Sequence, residues 1–107
     1  MKYVVKITDT AKQDLREIAF YIAEMAKDKE IARRFVDELR KECKKLESFP
    51  KSGALPKDRI LLSAGYRLIV FKDYLLFYSI QDKEKEVNVL AIFKAKKDYM
   101  RVMQKFV

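Results

Sequence analysis

Arg67, Lys94, Lys96, Lys97 and Tyr99 are the residues of this chain whose types and spacing have chemistry to offer. Arginine binds two phosphate oxygens at once through its planar fork, lysine supplies a point charge, and tyrosine is a weak acid or a face for a nucleobase. A group of this kind binds phosphate. To cut RNA it would also need a base for the ribose 2′-hydroxyl proton and an acid for the leaving oxygen. The chain has no histidine, but a lysine whose pKa is lowered by neighbouring cations could serve as the base. Each residue also has an ordinary alternative: Arg67 paired with a carboxylate on a sheet, the lysines a solvated turn, Tyr99 a core residue.

Charge extends the group. Residues 1–50 hold 12 Lys/Arg against 10 Asp/Glu and residues 73–93 hold 2 against 4, so these segments are neutral together. Residues 51–72 and 94–107 each hold 5 against 1, and they carry the whole net charge of +8. Clustered charge steers polyanions better than scattered charge, so Lys57, Arg59, Lys72, Lys97 and Arg101 are expected to bind a nucleic acid or another acidic target. Metal is not expected, because histidine is absent and the carboxylates lack ligand spacing. The single cysteine, Cys43, excludes an internal disulfide and reads as a small core residue of a helix.

The elements that must position these residues follow from periodicity. Tyr3, Val5 and Ile7 alternate with Lys2, Val4 and Lys6, predicting a first strand. Thr10 to Gln13 has the form of a capping box opening a helix with the stripe Ala11, Leu15, Ile18, Ala19, Ile22 and Met25. After the polar turn Lys27-Asp28-Lys29 the pattern resumes as Ile31, Phe35, Leu39, Cys43 and Leu46, a second helix antiparallel to the first. Phe49-Pro50-Lys-Ser-Gly53 ends it and opens a long basic loop running to Gly65. Tyr66 to Phe71, Tyr74 to Ile80 and Val87 to Phe93 are rich in aromatic and β-branched residues. Their connections are too short for a crossover, so they form an antiparallel meander, with a closing helix over 96–106. The chain is thus one α+β domain spanning 1–107, an antiparallel sheet of strand 1 plus the meander packed on a helical hairpin. No stretch suits a membrane span and no leader precedes the first strand, so a cytoplasmic protein without cofactors is expected.

This order resembles the RelE/ParE superfamily, the toxins of type II toxin-antitoxin modules. The resemblance runs the full length and rests on Ala11 to Ile18 followed by Tyr21-Ile22-Ala23, on Ala32-Arg-Arg-Phe35 and on Leu46-Glu-Ser-Phe49-Pro50-Lys-Ser-Gly53. Tyr66-Arg67 with Tyr74-Leu-Leu-Phe77-Tyr78, and the ending Lys94-Ala-Lys96-Lys97-Asp98-Tyr99, complete it. The long hairpin and the Phe-Pro-x-x-Gly turn are closer to the ParE branch. The resemblance implies a growth inhibitor of a plasmid-stabilisation type module, neutralised in a hetero-oligomer by a cognate antitoxin. It implies ParE-like action on DNA gyrase, or alternatively RelE-like, metal-independent cleavage of mRNA on the ribosome, or a non-toxic relative that only binds antitoxin or nucleic acid. In the nuclease case Arg67, Lys94, Lys96 and Tyr99 would be the catalytic group. Members often carry His-Gly-Arg-Arg where this chain has lysines, and that exchange favours gyrase.

Overall fold

The computed structural model describes residues 2–95, so the expected closing helix and Lys96, Lys97, Tyr99 and Arg101 lie outside the described residues. Strand β1 (Val4–Ile7) leads into helix α1 (Asp9–Ala26) and helix α2 (Lys29–Lys44), followed by 3-10 turns at Lys45–Glu47 and Pro50–Ser52. A short helix α3 (Arg59–Ser63) precedes strands β2 (Tyr66–Phe71), β3 (Tyr74–Gln81) and β4 (Glu86–Lys94).

The helix that was expected to start from Thr10 starts earlier. Thr8 is the cap: its Oγ1 accepts the Ala11 amide at 3.2 Å and donates to the Val89 carbonyl at 3.0 Å. Three cap-forming residues run in sequence here, and Thr8 prevails because it alone satisfies the helix and the sheet together. At the other end Lys27 turns into the left-handed region (φ 53°) and its amide reaches Ala23, closing α1. Asp28 caps α2 at once, accepting the Glu30 amide at 2.9 Å. The two helices therefore reverse direction over two residues.

The sheet has the order β1-β4-β3-β2. Strands β2, β3 and β4 are the expected antiparallel meander, but β1 lies parallel to β4, so the sheet is mixed rather than antiparallel throughout. The α1–α2 hairpin acts as the crossover that parallel pairing requires. A bulge at Leu90 shifts the β3–β4 register between Phe77 and Tyr78. Asp14 on α1 takes up the Ile92 amide just past it, at 2.9 Å.

One sheet face packs under the hairpin, with Leu15, Phe35, Leu39 and Leu46 against Leu76, Tyr78, Val87 and Val89. The other buries Leu68, Leu75, Phe77, Ala91 and Phe93 with Leu61 of α3. The stretch expected as one long loop thus contains α3, capped by Asp58, which accepts the Ile60 amide at 2.9 Å and the Leu61 amide at 3.1 Å. Cys43 is buried in the hairpin core, as expected, whereas Met25 is 69% exposed and leaves the α1 stripe.

Candidate functional site

Arg67 is held by backbone. Its Nη1 donates to the Gly53 carbonyl at 2.9 Å and to the Lys51 carbonyl at 3.1 Å, so one arm of its fork is held by backbone, and it forms no ion pair with a carboxylate among the described residues. The turn it grips is shaped by Pro50 and pinned a second time by Tyr78, whose hydroxyl donates to the Pro50 carbonyl at 2.7 Å and accepts the Gly53 amide at 3.0 Å. Burial raises the Tyr78 pKa above the ordinary tyrosine value, with the Gly53 amide and the Arg67 charge opposing.

Lys94 sits at the other end of the sheet. Arg67 pairs with Tyr78 and Lys94 with Tyr74, four residues away along β3, or about 13 Å at the usual rise of a strand. Two inter-strand spacings of lateral separation are added, because β2 and β4 flank β3 on opposite sides. The structure does not bring these two candidates together. The Lys94 ammonium lies 4.9 Å from the Tyr21 ring centroid and 5.9 Å from that of Tyr74. Along with Asp14, Glu17 and Ile18 these residues line an open cavity of about 280 Å³ between α1 and the sheet end.

The remaining cations divide. Lys72 is engaged: it pairs with Glu38 at 2.7 Å and lies 5.4 Å from the ring centroids of both Phe35 and Phe71, holding the Glu38 carboxyl below its ordinary pKa. Lys57 and Arg59 are exposed at the entry to α3, which packs on the sheet face away from the hairpin. No cluster of metal-ligating side chains occurs among the described residues. No described helix is long and apolar enough to cross a membrane.

What periodicity missed is an exposed apolar row on α1. Phe20 and Met25 are each 69% exposed, with Tyr21 between them and Ile31 beyond the hairpin turn. Their spacing overlaps the buried stripe, so a sequence pattern sees one broad amphipathic face where there are two. Within this row Tyr21 lines the cavity at Lys94, joining apolar surface to a cation.

A family model described as "ParE toxin of type II toxin-antitoxin system, parDE" matches residues 5–99. Among solved structures, a chain of the chromosomal ParDE system from P. aeruginosa is similar over 89% of this chain and 98% of its own, with 20% identity and a TM-score of 0.73. The RelBE2 toxin-antitoxin complex from Mycobacterium tuberculosis is similar over 88% and 99%, with 21% identity and a TM-score of 0.66. A free-state arginine-substituted mutant of the E. coli toxin RelE is similar over the full length of both chains, with 16% identity and a TM-score of 0.68. No curated protein matches by sequence.

Proposed function

The chain belongs to the ParE toxin family of type II toxin-antitoxin systems, and from that premise we propose that it inhibits DNA gyrase in the cytoplasm until a cognate antitoxin covers it. The observation that favours gyrase over mRNA is the separation of Arg67 from Lys94. In-place cleavage of a phosphodiester needs its cations and its base within reach of one phosphate, at spacings of about 3 Å from the reacting atoms. Arg67 is instead committed to the Lys51 and Gly53 carbonyls, at the far end of the sheet from Lys94.

Inhibition of a protein target asks for surface rather than a catalytic group. The exposed apolar residues Phe20, Tyr21 and Met25 of α1, with Lys94 beside Tyr21, support a contact of that kind. The same surface suits an amphipathic antitoxin segment whose carboxylates meet Lys94 and whose apolar side covers α1. Lys57 and Arg59, exposed at the entry to α3, are the further cations we assign to the target. Toxin and antitoxin would then form a hetero-oligomer in which the target surface is masked.

Inducible expression of the chain alone, and together with the product of its neighbouring reading frame, tests the toxin-antitoxin pairing. Growth arrest relieved by the neighbour is the expected result. Normal growth from a soluble, folded chain would instead support the non-toxic binding relative.

A further inference from the structure

Two grooves meet at Ser48, just past the 3-10 turn that follows α2. One, of about 270 Å³, is lined by Lys2, Lys41, Lys44 and Lys45 with a single carboxylate, Glu47. The other, of about 500 Å³, is lined by Tyr3, Phe49, Pro50 and Lys51. Lys45 is paired with Glu42 at 2.9 Å, but Lys2, Lys41, Lys44 and Lys51 have no ion-pair partner among the described residues. Lysines in the last turn of a helix complement its dipole, which accounts for Lys41 and Lys44. It does not account for Lys2 or Lys51, nor for a phenylalanine left 67% exposed beside them.

The Tyr3 ring and the Phe49 backbone are held in place. Tyr3 donates its hydroxyl to Asp82 at 2.6 Å and carries the Lys85 ammonium 5.2 Å from its ring centroid. Phe49 precedes the turn gripped by Tyr78 and Arg67, so its backbone is anchored from inside the fold. An exposed ring alongside cations that are in no ion pair supplies the two parts of a single-strand site: a base stacks on the ring while the cations follow the phosphates.

We propose that this double groove binds single-stranded nucleic acid, with a base stacked on Phe49 and the phosphates tracked by Lys2, Lys41, Lys44 and Lys51. The site lies at the sheet end away from Lys94, so it stands apart from the Tyr21 and Lys94 surface assigned above to gyrase and antitoxin. An acidic peptide would satisfy the lysines equally well, but it has no regular use for an exposed ring between them.

Fluorescence anisotropy of the full chain with short labelled oligothymidylate and oligouridylate, across a salt series, tests the proposal. Phe49→Ala should weaken binding roughly 5- to 150-fold, the equivalent of about 1–3 kcal/mol for one stacked base. Lys41→Ala with Lys44→Ala should reduce the slope of log affinity against log salt by about 1.4, the value for two phosphates of a single strand left without their cations. All three side chains are exposed, and circular dichroism checks that the variants fold as the parent does. Absence of binding by the folded parent, or affinities within about twofold of it in both variants, would overturn the proposal, as would a polyglutamate that binds where the oligonucleotides do not.

Discussion

The buried Tyr78 hydroxyl and the Gly53 amide, 25 residues apart in sequence, are joined at 3.0 Å, and a side chain on Gly53 has nowhere to go: its Cβ would meet that hydroxyl at 2.5 Å. The glycine is required by this close approach rather than by its backbone angles, which are ordinary extended ones (φ −72°). The same hydroxyl satisfies the Pro50 carbonyl, so one phenol closes both sides of the turn.

Tyr78→Phe should therefore cost about 1–3 kcal/mol, because it leaves a buried amide and a carbonyl without their partner. Urea denaturation reads this directly. Since the Tyr78 pKa is raised on folding, its contribution is full below the ordinary value of 10 and is lost as the pH rises past it. The parent should lose stability on that limb more steeply than Tyr78→Phe.

Arg67→Ala should cost about 1.5–3 kcal/mol, the value of hydrogen bonds from a charged donor to the Lys51 and Gly53 carbonyls. Arg67→Lys should recover only part, since a lysine cannot reproduce the rigid fork. A phosphate clamp would behave oppositely, with activity lost and the urea midpoint unmoved.

Burial pushes the Cys43 thiol up from 9.0 to about 11, with Glu42 adding and Arg40 opposing. An acid whose pKa rises on folding contributes stability that is full below pH 9 and is lost as the pH climbs through about 11. The urea midpoint should fall over that window, less steeply in Cys43→Ala. At neutral pH the thiol should react with a disulfide reagent only on unfolding, and rapid labelling of the native chain would contradict its place in the core.

Phe20→Asp and Met25→Asp on α1 should change stability by no more than about 0.5 kcal/mol, as expected of exposed positions. Each should weaken antitoxin binding at least tenfold, measured by calorimetry, if the apolar row is covered in the complex. Unchanged affinity in both variants would move the antitoxin elsewhere.

The meander was legible because its strands are dense in aromatic and β-branched residues and their connections too short to cross over. The direction of β1 was not, since parallel or antiparallel pairing with β4 is decided by which sheet edge the hairpin reaches. Helix α3 escaped because a five-residue helix with one buried leucine, Leu61, shows no period. Arg67 was read from the sequence as a phosphate clamp, whereas its hydrogen bonds run to main-chain carbonyls, which no sequence pattern displays. The lysines at the end of α2 were hidden by arithmetic. Residues 1–50 are nearly neutral in total, and only folding gathers Lys2, Lys41 and Lys44 on one side.

The most direct test is to add the purified chain to DNA gyrase in a supercoiling assay, and in parallel to ribosomes translating a defined mRNA. We predict that supercoiling is inhibited, that inhibition is relieved by the antitoxin, and that the mRNA remains intact. Ribosome-dependent cleavage of the mRNA with supercoiling unaffected would contradict the account.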